Sequence, residues 1–417
     1  MPERMTRGWI IVATAVLGIM VSFGSLVVFS FGVFLKPLSE QLHWDRAQVS
    51  LGFSLAALSV AACSPMIGRI VDRIGAKRVI LPCATVYGLA FCALSLLHGA
   101  LWQFYATWIV IGVVGNGTTQ LCYAKVITAW FDRRRGIALA TMMAGVGVGA
   151  MAVPPAATWL IAHLGWRTAY LALGATILVF GILPAALFLR ERPPGARAAS
   201  SHSSGDHAVS GLRTGEAVRT GVFQLLLAAF FLFSIAVNGS VAHLVPMLTD
   251  RGFSPERAAF AASILGGATL VGSLLTGALL DRFHGSRVAG LFFGIAALGV
   301  VVASRAHTLA SAYTGTALIG FGMGAEADVM PYLISRYFGL RSFSELFGYS
   351  FTAYAIAGAL GPWVMGRSYD QFHSYSTAML LLGGAMFAGA VILASLPRYS
   401  RTMTSAGTLA AASGGPA

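Results

Sequence analysis

The sequence predicts an all-α membrane protein of twelve transmembrane helices, arranged as two pseudo-symmetric six-helix bundles. Hydrophobic residues make up 57% of the 417, the mean hydropathy is +0.75 and only 10% of residues are charged, against an apolar share of about 45–50% in soluble domains. Apolar stretches of roughly 20 residues, enough for a helix to cross the hydrocarbon core, recur along the chain. The second half also repeats the first. A membrane barrel is excluded, because its strands would read as short alternating segments rather than long continuous runs.

In chain order the spans are read at 9–35, 47–70, 79–98, 102–129, 136–163, 167–189, 221–249, 257–280, 287–305, 308–335, 344–369 and 374–396. The first follows Arg4 and Arg7 and is about twice the length of a signal-peptide core, without a cleavage site, so it stays as a span. The fifth contains GVGVG at Gly145–Gly149. No strand precedes it, so it is no nucleotide loop, and its glycines let neighbouring helices approach. Pro154 and Pro155 just beyond are expected to kink or break that helix. Between the sixth and seventh spans, residues 190–220 replace apolar runs with Pro, Ser, Gly and Arg and read as a cytoplasmic linker. The expected units are therefore a bundle over 1–189, this linker, a bundle over 221–397 and a cytoplasmic tail over 398–417.

The net charge of +13 raises nucleic acid as a partner, and its placement excludes it. About twenty basic residues fall on the side that holds the N-terminus and about seven on the other, including Lys36, Arg46, Arg251 and Arg257, the bias that orients membrane proteins. Both termini are expected in the cytoplasm. Cys63, Cys83, Cys92 and Cys122 all lie in apolar spans, with neither zinc-ligand spacing nor an extracellular pairing pattern.

The repeat is explicit. At an offset of 209, Pro37 aligns with Pro246, Gly68 with Gly277, Asp72 with Asp281, Arg73 with Arg282 and Arg78 with Arg287; near 207, Gly115 and Gly117 align with Gly322 and Gly324, and Pro155 with Pro362. Internal duplication of this size is a hallmark of secondary transporters.

The motif Gly68-x-x-x-Asp72-Arg73-x-Gly75-x-Lys77-Arg78 and its partial copy at Gly277, Asp281, Arg282 and Arg287 resemble those of the major facilitator superfamily, over nearly the whole chain. That resemblance implies the major facilitator fold and a cytoplasmic gate at Gly68, Asp72, Arg73, Gly75, Asp281 and Arg282. In such a gate, Asp72 accepts hydrogen bonds from a helix N-terminus across the seam between halves. The alternative is that these charges only fix topology. The second copy has His284 where the first has Gly75. FGVFLKPLSEQLHW, WFDRRRGIALA and SRYFGLRSFSELFG further resemble bacterial relatives of monocarboxylate transporters and oxalate–formate exchangers. Those relatives carry an arginine in the eighth span and, in some, a lysine in the eleventh. This chain has no charge between Arg257 and Asp281 or between Glu345 and Arg367.

A charge well inside a span costs about 2.5–3.5 kcal/mol on insertion scales, so it faces a cavity or a partner. Lys125 in the fourth span is the basic candidate for an anionic substrate, or else it snorkels to the headgroups. Asn116, Gln120 and Tyr123 form a stripe on the same helix that lines a cavity or glues helices. His243, Asn238, Tyr332 and Tyr354 complete the substrate candidates. Asp328 and Glu326, about 200° apart on one helix, are the proton-coupling candidates, and Asp328 is favoured because it shares a face with Tyr332. No catalytic triad, Walker sequence, metal cluster or cofactor motif is visible, and no enzyme is expected. The expectation is a monomeric, proton-linked carrier of small organic anions, monocarboxylates foremost, in lipid of the bacterial inner membrane, working by rocking of the two halves around a central site. The rival is a proton-antiporting exporter of amphipathic compounds, against which the fifth span lacks the expected glycine-proline signature.

Overall fold

In lipid each backbone N–H and C=O has to be paired within the protein, so a continuous apolar run closes on itself as a helix. The structure, a computed structural model, describes residues 2–131, 135–189, 212–280, 282–339 and 342–398. The first half contains α1 (Pro2–Met20), α2 (Val28–Leu42), α3 (Arg46–Ile74), α4 (Ala76–Leu94), α5 (Leu101–Gly115), α6 (Gln120–Trp130), α7 (Arg135–Thr176) and α8 (Leu183–Phe188). The second contains α9 (Thr214–Val218), α10 (Gly221–Ala242), α11 (Leu244–Asp250), α12 (Pro255–Leu280), α13 (Gly285–Ser304), α14 (Leu309–Phe338), α15 (Phe343–Phe372) and α16 (Ser376–Ser395).

Among the described residues, nine stretches are long and apolar enough to cross a membrane. One of them, Ile137–Phe188, turns at Gly165 (φ 78, ψ 161) and makes two crossings; α5 with α6, and α15, complete the twelve. Several spans are interrupted where the sequence reads as continuous. A π turn at Phe23–Val27 separates α1 from α2, and another at Ile177–Ile182 precedes α8. The fourth span breaks at Asn116–Thr118, after which Thr119 is extended (φ −76, ψ 170).

Proline does not break the fifth span as expected. The backbone of α7 stays helical through Pro154 and Pro155, and its one non-helical residue is Gly165. Pro155 has no N–H for the carbonyl of Met151, four residues back. That carbonyl instead accepts a 2.7 Å hydrogen bond from Ser263 Oγ of α12, across the seam.

The halves meet along two antiparallel seams, α3 with α15 and α7 with α12. Glycine makes both approaches close. A Cβ on Gly366 would lie 2.8 Å from Ala47 Cα, and one on Gly266 would lie 2.5 Å from Ala150 Cβ. Residues 190–211 and 399–417 lie outside the described residues. The rest of the segment read as linker is built into the second bundle: Leu212 N–H donates to Phe338 O (3.0 Å), Ser342 Oγ to Leu212 O (3.1 Å), and Thr214 to the Glu345 carboxylate.

Replacing Ser263 with Ala strands the Met151 carbonyl in apolar surroundings. The expected loss is about 1–3 kcal/mol of stability, read as a lower unfolding temperature of the detergent-solubilised protein. Ser263→Ala in a Pro155→Ala background, where an N–H is restored to Met151, is expected to lose much less.

Candidate functional site

Arg46 is the first residue of α3, and a cation at a helix N-terminus opposes the macrodipole. The other half supplies the compensation. Arg46, only 6% exposed, is held by both carboxylate oxygens of Asp250 and by the Tyr375 hydroxyl, and its guanidinium lies 3.6 Å from the centre of the Tyr369 ring. Lys36 Nζ adds a 3.1 Å contact to Asp250. The Asp370 carboxylate accepts the N–H groups of Arg46 (3.0 Å) and Ala47 (2.8 Å), which no carbonyl within the helix can reach.

His243 belongs to this cluster. Its Nε2 lies 2.9 Å from the Pro362 carbonyl and 3.0 Å from Ser50 Oγ, and its Nδ1 lies 3.3 Å from the Tyr375 hydroxyl. A carbonyl can only accept, so Nε2 carries the proton and Nδ1 accepts from Tyr375. Ser54 adds a bond to the Ala359 carbonyl. Together these contacts pin the halves at the Arg46 end of the α3–α15 seam.

A second polar cluster lies inside the second half. Glu326, 8% exposed on α14, interacts electrostatically with Tyr354 on α15, whose side chain also neighbours Asn238 and Ser234 on α10. Asn238 Nδ2 donates to the Ser234 carbonyl (3.0 Å), and Ser234 Oγ donates to the Tyr354 carbonyl (2.6 Å). Asp328 points elsewhere and accepts a 2.6 Å bond from Ser273 Oγ of α12. The face that Asp328 shares with Tyr332 in sequence therefore does not bring it into the cluster.

The remaining candidates disperse. Lys125 Nζ donates to the Val71 carbonyl at 2.6 Å, in the last turn of α3 beside Asp72. Its repeat counterpart Tyr332 donates to the Leu280 carbonyl at 3.2 Å, at the end of α12. Both therefore tie a helix of the fourth-span type to the C-terminus of the helix that carries the motif. Asn116 Nδ2 bonds the Val60 carbonyl (3.0 Å) and Ser64 Oγ (2.9 Å), Tyr123 is buried against Gly18, and Gln120 is exposed. The break at Asn116–Thr118 dissolves the expected stripe.

In the motif, Gly75 has φ 96 and ψ 156, a conformation open to glycine, whereas His284 has φ −71 and ψ 121. The two loops thus differ in backbone as well as in sequence. Among the described residues, a Cβ on Gly68 would meet nothing nearer than Leu121 at 3.9 Å, and one on Gly277 would meet nothing within 4 Å. Neither glycine serves a close approach in this conformation. Arg73 lies in the last turn of α3 and Arg282 just beyond α12; Asp281 lies outside the described residues.

Two helical bundles of membrane-length helices, pinned across a seam and holding acids within their spans, have the architecture of a multi-pass membrane transport protein. The chain belongs to the Major Facilitator Superfamily, whose profile matches residues 15–362 and 246–414. It is 28% identical over 410 residues to monocarboxylate transporter 13 of Bos taurus, covering 94% of this chain and 90% of that one. It is 26% identical over 360 residues to the uncharacterized MFS-type transporter YcxA of Bacillus subtilis, covering 83% and 85%. Its fold matches a bacterial homolog of the human lysosomal transporter Spinster, inward-facing and unoccupied, with a TM-score of 0.69 at 18% identity over 94% of this chain and 95% of that one.

Burial alone would raise the Asp250 carboxyl, but the Arg46 and Lys36 cations more than offset this and hold it below its ordinary 3.8. A lowered pKa means that the stabilisation is present above 3.8 and is lost as pH falls through the lowered value. The seal is therefore expected to be constant between about pH 5 and 8. Asp250→Asn should weaken it by about 1.5–3 kcal/mol, seen as faster labelling of a cysteine placed at Ser50. For Lys125→Gln the expected result is a less stable protein with unchanged substrate affinity. A selective loss of affinity in that variant returns Lys125 to the substrate site.

Proposed function

We propose that the chain is a proton-linked transporter of small organic acids, monocarboxylates foremost, and that Glu326 rather than Asp328 carries the proton. The observation that carries this reading is the buried Glu326–Tyr354–Asn238–Ser234 cluster, which offers neutral donors and one ionisable acid. With Glu326 protonated, its O–H, the Tyr354 hydroxyl and the Asn238 amide can all donate to a substrate carboxylate. With Glu326 ionised, two carboxylates about 4 Å apart repel by about 4 kcal/mol at an effective dielectric of 20, nearly a thousandfold in affinity. Proton binding therefore precedes substrate binding, and the two travel together without net charge. The naming of several relatives as monocarboxylate transporters supports the substrate class.

In this proposal the Asp72 end and both termini face the cytoplasm of the cell membrane, and the monomer rocks its halves within lipid. The Arg46 seal closes the outer side. The motif residues Gly68, Asp72, Arg73 and Gly75, with Asp281 and Arg282, act when the inner side closes. The room beside Gly68 and Gly277 supports this, because an approach that they permit has yet to be made in the present conformation. The rival reading, export of amphipathic compounds by proton antiport, is favoured by one observation: the interior acids Glu326 and Asp328 suit a cation as readily as a proton.

Reconstituted vesicles with an imposed pH gradient decide the matter. Glu326→Gln is expected to abolish accumulation of labelled carboxylates while retaining exchange across the membrane, and Asp328→Asn to accumulate normally. Uphill accumulation by Glu326→Gln would falsify the assignment, and proton-driven efflux of an organic cation without carboxylate uptake would establish the rival.

A further inference from the structure

Four rings run down one face of α15. Phe343 and Phe347 have centroids 6.0 Å apart and planes 15° apart; Phe347 and Phe351 are at 6.3 Å and 20°, and Phe351 and Tyr354 at 6.3 Å and 23°. At 100° per residue the four fall within about 80° of arc. The outward residues of the same helix, Tyr349 (57% exposed), Ile356, Leu360 and Trp363, lie on the opposite side. All four rings are half-buried. The row begins at the first residue of α15, on the Asp72 end, and finishes at Tyr354, whose hydroxyl belongs to the Glu326 cluster.

The duplicated half is built without such rings. At the offset of 207 that aligns Pro155 with Pro362, Phe343, Phe347, Phe351 and Tyr354 correspond to Gly136, Ala140, Ala144 and Gly147. The same helix in the first bundle thus has no ring at any of the four positions. An aromatic row confined to one copy, ending at the polar cluster and lying opposite the exposed face of its helix, has the character of a recognition surface.

We infer that the aromatic row of α15 selects the body of the substrate, which is a planar aryl carboxylic acid: its ring lies against Phe347 and Phe351 while its carboxylate reaches Tyr354 and Asn238. Stacked and edge-on rings attract one another beyond the area they bury, and an aliphatic acid of similar size forgoes that part. The inference rests on the organic-acid reading of the Glu326 cluster.

The test measures uptake of labelled benzoate and phenylacetate against acetate and propionate in vesicles with an inward proton gradient. Phe347→Leu and Phe351→Leu are compared with the unaltered protein, because leucine keeps apolar bulk and removes the ring. The unaltered protein is expected to favour the aryl acids by at least about tenfold in KM. Each variant is expected to raise their KM by several-fold and leave that of the aliphatic acids unchanged. Equal KM values for the two classes in the unaltered protein, or variants that shift both classes alike, overturn the inference and leave the organic-acid reading standing. Variants that lower thermal stability without altering selectivity assign the rings to packing and overturn it too. Uptake of neither class rejects the organic-acid reading, and this inference with it.

Discussion

Charge and backbone inside a bilayer have to be satisfied by protein, because hydrocarbon offers no partner. The N-terminus of α3 meets this constraint with groups from the opposite half. Arg46 stands at the electrostatically unfavourable end of its helix, and the first N–H groups there have no carbonyl within α3 to bond. Asp250 answers the cation and Asp370 answers the N–H groups. One helix end thus becomes a joint between bundles, and the conformation described here follows from keeping that joint made. The same constraint operates at Met151, where a carbonyl released by Pro155 finds its donor across the other seam.

The fold was legible in the sequence because apolar runs of membrane length, a basic bias on one side and an internal repeat are all local or periodic signals. The interruptions were harder to see. Ser22 to Val27 is as apolar or small as its surroundings, and Asn116 reads as part of a polar stripe rather than as a break, so hydropathy alone does not register the turns made there. Pro154 and Pro155 misled because the penalty for a helical proline assumes that the freed carbonyl stays unpaired, and Ser263 lies 112 residues away in sequence.

The candidate site was legible only in part. Glu326, Tyr354 and Asn238 were reachable from the cost of polar groups within spans, but their grouping depends on three helices meeting at one level. Arg46 and Asp250, 204 residues apart, and Arg46 and Asp370, 324 apart, obey no spacing rule. The available hint was that Lys36 and Arg46 lie on the poorly basic side, where a cation needs a local reason to stay. Lys125 looked like a substrate ligand because sequence shows a costly charge without showing what meets it. One group that meets it is a helix-end carbonyl, and the repeat offered a clue, since Tyr332 at the matching position makes the matching bond without any charge.

The hydrogen bond between Ser263 and Met151 sits in the middle stretch of the α7–α12 seam, beside the close contact of Gly266 with Ala150. When two rigid bodies tilt against each other, displacement grows with distance from the fulcrum, so a bond near the fulcrum is stretched least. In the proposed rocking of the two halves, the Arg46 joint lies far out on the lever and would be remade on each cycle, whereas this bond would persist through the swing. A proline that frees a carbonyl at mid-height would thereby give that proposed motion an axle whose fastening belongs to neither helix's own ladder, so tilting one bundle need not unwind it.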